Sequence, residues 1–359
     1  MIVETLLPLG KVDPGLRAAE QPFDIARVGT DAALVEALGY DRLVVEETKD
    51  DPFVIMALAA QATTTLGLGT SVAIAFPRSP AIAAMSAWTL QKLSRGRFCL
   101  GLGSQVRGHI QRRYGLAWKA PGPWMRDYVG ALRAIWDCWQ NGTKLDFESE
   151  HYRLNLMVPL FNPGPIPHPA IPVHLAAVNA VMCRVAGEVA DGLRPHPVCT
   201  PKYIVETMLP AVRAGAARRG RELGDFRLAM KILIATAPNE AALQAKVRDI
   251  RARVAFYAST PAYRAAFAAH GLEALADELK LLARAQRWEE MPALVPDEVL
   301  NTYAVVGTYD EIAQKIVARY GAVATDVEFS IPVANENDRE RLAVMAATLR
   351  ALPPPKLAA

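Results

Sequence analysis

The chain has 359 residues, 40 basic and 37 acidic, so it is close to charge balance at +3, and it is 52% hydrophobic and 21% charged. Basic residues cluster only in pairs such as Arg112–Arg113 and Arg218–Arg219, which excludes a nucleic-acid surface built on charge and fits a globular protein with a substantial core. The four cysteines (Cys99, Cys138, Cys183, Cys199) share no short spacing, and the six histidines form no His-x-His or His-Glu-x-x-His pattern, so neither a metal site nor a redox pair is expected.

Strand-like and helix-like runs alternate along the chain. Ile2–Leu7 reads as a first strand, followed by an apolar-periodic helix over Pro22–Leu38. Arg42–Glu46 is the second strand and Pro52–Thr65 the second helix. Asp51 before Pro52 reads as an N-cap with proline at the first helical position. Gly67–Val72 is the third strand, Pro80–Ser94 the third helix, ended at Gly96, and Arg97–Leu102 the fourth strand. A long helix over Trp124–Gln140 closes at Asn141–Gly142. Alternation in LDFESEHYRLNL predicts a small hairpin ahead of an irregular proline-rich excursion.

Val173–Ala177 and Gly192–His196 are the fifth and sixth strands, with a helix over Val181–Ala190 between them. A helix over Lys202–Gly215, kinked at Pro210, leads to a seventh strand, Phe226–Thr236. A helix-rich insertion covers about 239–300. Thr308 with Glu311 reads as a capping box for a helix ending near Tyr320. Asp326–Ile331 is the eighth strand, and a last helix ends near Leu352.

Eight strands alternating with helices, without a linker of disordered composition, favour an α/β fold of the (β/α)8 TIM-barrel class. The whole chain, 1–359, then forms one barrel domain with insertions at about 143–172 and 239–300. A doubly wound sheet with a second domain is the runner-up, because the first strand does not lead into Gly-x-Gly-x-x-Gly.

In a barrel the chemistry lies at the carboxyl ends of the strands. After the second strand, Glu47 is placed to accept a proton or hydrogen-bond a cofactor ring. After the third, Ser71, Val72 and Ala73 offer a small polar residue and then apolar ones, suited to a flat ring resting on backbone. After the fourth, the glycine turn carrying Gly103, Ser104 and His109 is the best anion-binding candidate. After the fifth, the small residues Ala176, Ala177 and Val178 let a long ligand lie across the loop while amides bind its phosphate. After the sixth, His196 between two prolines is a catalytic candidate. Phe76, Trp118, Trp124, Met157 and Phe161 are candidates for an apolar substrate wall. Trp88, Trp136 and Trp139 read as packing on helix faces.

The run LGTSVAIAFPRSPAIAA followed by GRFCLGLGS resembles the luciferase-like flavin and deazaflavin oxidoreductases, in particular their F420-dependent branch. Further points of likeness are Gly39-Tyr40-Asp41, Trp124–Trp139, Leu175–Gly192 and Val306-Gly307-Thr308. The resemblance implies a (β/α)8 barrel that binds coenzyme F420, or alternatively FMN, at the strand ends. It also implies that Ser71-Val72 forms a bulge with a non-prolyl cis peptide behind the ring. The F420-dependent sugar-phosphate dehydrogenases keep an Asp-His pair where this chain has Glu47 and Thr48, and a carboxylate where it has Val106. Their sugar chemistry is therefore disfavoured here.

The expected function is hydride transfer between the deazaflavin C5 and a small organic substrate. The alternatives are an FMN-dependent two-component monooxygenase of the same fold, which needs a flavin reductase, and a non-catalytic flavin-binding barrel. The lack of His-x-His on the first strand argues against a metal-dependent barrel hydrolase. Expected partners are a small-molecule substrate and, by analogy, a second copy in a homodimer, with no nucleic acid and no membrane. MIVETLLPLGKVDPG carries Glu4 within its short apolar run and no small-residue cleavage pattern, and no apolar run approaches the ~20 residues of a membrane span. A cytoplasmic location is expected.

Overall fold

Short apolar runs, each bounded by a turn or a capped helix, dictate the architecture. The computed structural model describes residues 1–11, 23–355 and 357. The strands β1 (Ile2–Thr5), β2 (Arg42–Val45), β3 (Gly67–Thr70), β4 (Phe98–Gly103), β5 (Val173–Ala177), β6 (Gly192–Pro195), β7 (Arg227–Lys231) and β8 (Asp326–Glu328) pair in parallel in that order. β8 pairs back with β1, so the sheet closes as a TIM barrel of eight parallel strands. The helices α1 (Val28–Ala37), α2 (Pro52–Ala62), α3 (Pro80–Leu93), α4 (Pro121–Asn141), α5 (Ala180–Val189), α6 (Leu209–Arg218), α7 (Ile312–Tyr320) and α8 (Glu336–Arg350) surround it. No helix among the described residues is long and apolar enough to cross a membrane.

Local chemistry fixes where the helices begin. Asp51 accepts from the N–H groups of Phe53 (2.8 Å) and Val54 (3.3 Å), and Pro52 opens α2. Ser79 caps α3 at Ile82 and Asn179 caps α5 at Met182. Gly142, at φ +68°, ends α4 in the left-handed conformation that glycine adopts without cost.

Period-two alternation sorts each strand between two environments. Leu43, Leu68, Leu100, Leu193 and Leu228 are fully buried in the apolar core. A charged layer is buried with them: Arg194 pairs with Glu4 at 2.7 Å, and Arg42 bridges Glu4 (3.2 Å) and Asp326 (3.0 Å). Arg227 reaches Asp326 at 2.9 Å. Burial opposes the Asp326 charge, but Arg42 and Arg227 outweigh it and hold the carboxyl below its ordinary range. Such buried charges persist only because each has its partner.

The structure departs from the sequence reading in several places. The expected seventh strand breaks at Ile232 into β7 and a separate strand, Leu233–Ala237, which pairs in parallel with Ala304–Thr308 outside the barrel. The run FRLAMKILIATA contains no Gly, Pro, Asn or Asp, so no turn residue marks the change of partner. The expected helix over Lys202–Gly215 lies within one helical run from Pro201 to Arg218, and a π-helical turn over Ile204–Met208 sits just before Pro210 at the start of α6. The capping box is half made: Glu311 accepts from the Thr308 N–H at 3.1 Å, but α7 begins at Ile312 with no side-chain cap. The first helix begins at Val28 after a 3-10 turn, and its expected start at Pro22 lies outside the described residues. The hairpin is present as Phe147–Glu148 against Arg153–Leu154, and the insertion after β7 is helical, led by Glu240–Ser259.

Candidate active site at the carboxyl ends of the strands

At the mouth of the barrel lies a cavity of about 560 Å³. Of the residues singled out from sequence, Glu47, Ser71, Val72, Gly103, Ser104, Ala176, Ala177, Val178 and His196 line it together. Ala73 is fully buried behind the wall, paired with Leu102 in a two-residue extension of the third strand. His109 is exposed, on the short helix Arg107–Arg112, and is not among the lining residues. That helix has six residues and no side-chain cap, so the turn after β4 ends in exposed surface rather than in a long helix aimed at the mouth. The expected apolar wall is also absent from the lining. Phe76 and Trp124 stack on each other at 3.8 Å, and Phe161 is exposed.

One side of the cavity is built from small groups. The Ser71–Val72 peptide is cis, as the resemblance implies. Gly103 faces it so closely that a Cβ there would come within 2.6 Å of the Val72 Cγ2 and would push the Val72 side chain aside. Beneath the wall, the buried Arg194 donates to the Ser71 hydroxyl at 3.0 Å while holding Glu4. Gln105, at φ +54°, turns the chain out of β4, a conformation that costs a non-glycine residue and is often kept at functional sites.

Glu47 is engaged on the same side. Its Oε2 accepts from the Ile74 N–H at 2.8 Å and from Arg78 at 2.6 Å, and Arg78 also holds Asp51 at 2.8 Å. Glu47 therefore ties the loop after β2 to the segment that follows the wall. Thr48 and Val106 also line the cavity. The N-termini of α4 and α5 reach the rim through Pro121, Val178 and Asn179, and such ends favour anions.

The opposite side was not foreseen. Phe256 and Tyr257 on the helix Glu240–Ser259, together with Tyr263, bring the insertion over the mouth. The His196 ring stacks on Tyr263 at 3.9 Å and meets Tyr257 edge-on at 4.7 Å. Burial, reinforced by Lys231, lowers its pKa to about 3, so the ring is neutral at physiological pH. His196 Nδ1 accepts from the Val198 N–H at 3.4 Å, which leaves the ring proton on Nε2. Lys231, Arg253 and Glu46 complete this side. Their only signal in the sequence was charge at the end of a strand or within a helix, which solvated faces carry equally well.

The sequence model of the luciferase-like monooxygenase family matches residues 6–326. The chain belongs to that family. An uncharacterized protein of Mycobacterium tuberculosis is 44% identical to this luciferase-like chain over 292 residues, covering 81% of this chain and 86% of the relative. The F420-dependent glucose-6-phosphate dehydrogenase of Nocardia farcinica is 28% identical over 320 residues, covering 82% and 88%. Among solved structures, the coenzyme F420-dependent tetrahydromethanopterin reductase from Methanopyrus kandleri superposes with a TM-score of 0.73 over 97% of both chains at 17% identity, which supports the common barrel. The luciferase-like family comprises oxidoreductases and monooxygenases, and this member is an oxidoreductase.

Proposed function

We propose that this protein is an F420-dependent oxidoreductase that transfers a hydride between the deazaflavin C5 and a small organic substrate. The observation that carries this reading is the wall of small groups, Ser71, Val72, Gly103, Ala176 and Ala177, lying between a buried guanidinium and two helix N-termini. That donor set fits a flat ring with an anionic tail: small side chains admit the ring, Arg194 opposes negative charge on it, and helix ends attract phosphate. The F420-dependent relatives favour the deazaflavin over FMN.

When bound, the deazaflavin supplies a hydride at C5. The residues of the chain do the rest. Ser71 and Val72, backed by Ala73, support the ring, and Gly103 and Ser104 flank it. Ala177 and Val178 would present the start of α5 to the phosphate, whereas His109 lies exposed outside the cavity lining. Phe256, Tyr257 and Tyr263 exclude water from the open face. His196 offers a neutral Nε2–H donor to the substrate, and Glu47 keeps the wall in place through Ile74 and Arg78.

The test is a fluorescence titration of the apo-protein with F420 and, in parallel, FMN. Micromolar or tighter binding of F420 with weak FMN binding supports the proposal. The opposite preference makes this an FMN monooxygenase that needs a reductase. Binding of neither leaves the barrel without this chemistry.

A further inference from the structure

The parallel register of three strands brings an unusual group of charges to one layer at the rim. Glu328 on β8 is the Cα partner both of Glu4 on β1 and of Lys231 on β7. The Lys231 ammonium lies 2.6 Å from Glu46 and 3.7 Å from Glu328, and Lys11 holds Glu46 from the other side at 3.1 Å. Glu46 thus has two close ammonium partners. Glu328, whose side chain is 10% exposed, has one ion pair among the described residues, and it is the longer contact.

These residues also join two spaces. Glu328 lines a small cavity of about 130 Å³, Glu46 lines the large one, and Lys231 lines both. We propose that Glu328 and Lys231 form a proton-delivery pair, in which the Glu328 carboxyl stores a proton that enters the large cavity through the Lys231 ammonium. This rests on the reading of that cavity as a hydride-transfer site. Hydride addition to a polarised double bond leaves one substrate atom with an electron pair that needs a proton. The Lys231 N–H bond breaks to supply it, and the Glu328 O–H proton moves to the Lys231 nitrogen. Among the described residues the cluster then holds two ammonium groups, Lys11 and Lys231, against two carboxylates, Glu46 and Glu328, and solvent reprotonates Glu328. The substrate class is therefore a carbonyl, an imine or a conjugated alkene; in the oxidising direction the same pair collects the proton.

The surroundings divide the work between the two carboxylates. Burial works against the Glu46 charge, but Lys231 and Lys11 outweigh it and hold its pKa at about 2, so Glu46 stays ionised. Burial pushes Glu328 up to about 7; Glu46 and Glu4 add to the rise, while Lys231 and Arg194 pull against it. The other charges around the small cavity are Lys11, Lys246, Asp249 and Arg253.

The experiment uses the cofactor-free protein, so its outcome is separate from the F420 titration. Protein labelled with 13C at the Glu carboxyls and 15N at the Lys side chains is titrated by NMR from pH 4 to 9, with Glu328→Gln and Lys231→Met alongside. The expected result is one Glu carboxyl with a midpoint within about one unit of 7, lost in Glu328→Gln. One Lys nitrogen should follow the same midpoint in the wild type and become pH-independent there in Glu328→Gln. In Lys231→Met the carboxyl midpoint should rise by one unit or more, because its nearest cation is gone. If every Glu carboxyl titrates below about 5, or if no Lys nitrogen follows the carboxyl, Glu328 is an ordinary ion-pair partner and the proposal is overturned.

Discussion

A carboxylate at a strand end invites a catalytic reading, and Glu47 shows how its neighbours refine it. Both hydrogen bonds to its side chain fall on Oε2, one from the Ile74 amide and one from Arg78. Glu47→Gln keeps an acceptor for the amide but removes the charge opposite Arg78. It should cost about 1–2 kcal/mol of stability and weaken F420 binding several-fold, read by thermal unfolding and fluorescence titration. Wild-type values in both would strip Glu47 of any role in the site. His196 carries a pH signature. Its pKa falls from 6.5 to about 3 on folding, so the stability it contributes is full above pH 6.5 and is lost as the pH drops toward 3. His196→Phe, which keeps a flat ring between Tyr257 and Tyr263, should lose less stability than the wild type between pH 6 and 4. Parallel losses in the two proteins would mean that the ring is already charged or solvated. The sequence pointed to Glu47 and His196 because charge or imidazole after a strand is conspicuous. It did not point to Lys231 or Arg253, because their meaning comes from strand register and from a folded-over insertion.

At the scale of elements, the barrel is sealed where β3 meets β4 by a side chain as well as by backbone. The Thr70 hydroxyl accepts from the Gly101 N–H at 2.9 Å and donates to the Gly101 carbonyl at 2.6 Å, while a Cβ on Gly101 would collide with the Thr70 carbonyl. Thr70→Val preserves shape but leaves both backbone groups buried and unpaired. It should destabilise by about 2–4 kcal/mol in denaturant unfolding. A loss below 0.5 kcal/mol would show that the ladder closes without the hydroxyl. The helices α5 and α6 meet through Gly187 and Gly215, where an added Cβ would lie about 2 Å from the carbonyl oxygens of Val212 and Arg184. Backbone forms that surface, so nothing flexible can yield, and Gly187→Ala should cost about 3 kcal/mol or more. An unchanged unfolding midpoint would require the two helices to slide apart freely. The alternation of strands and helices was legible because period and capping are local. The close glycine contacts and the break at Ile232 were not, because each is set by a partner distant in sequence.

Across the whole molecule, one design runs through the barrel: charge is buried in its interior, and almost every charge has an opposite partner at hydrogen-bond distance. Glu4, Arg42, Arg194, Asp326 and Arg227 form that layer below the cavity. From sequence they were single charged residues inside or beside apolar strands, and only closure of the sheet brings β1, β2, β6, β7 and β8 around a shared axis. Glu328 is the member least well served, with its pKa raised from 4.5 to about 7 in the folded chain. A raised carboxyl binds more protons folded than unfolded, so the stability it contributes is full below pH 4.5 and is lost as the pH rises through about 7. The loss integrates to on the order of 2–3 kcal/mol. Glu328→Gln has no proton to lose, so its stability relative to the wild type should climb by that amount between pH 4.5 and 8 and then level off. Denaturant unfolding at five pH values across that range measures the difference directly. Two curves that stay parallel would mean that Glu328 titrates alike in the folded and unfolded chains, and the barrel rim would then hold an ordinary carboxylate.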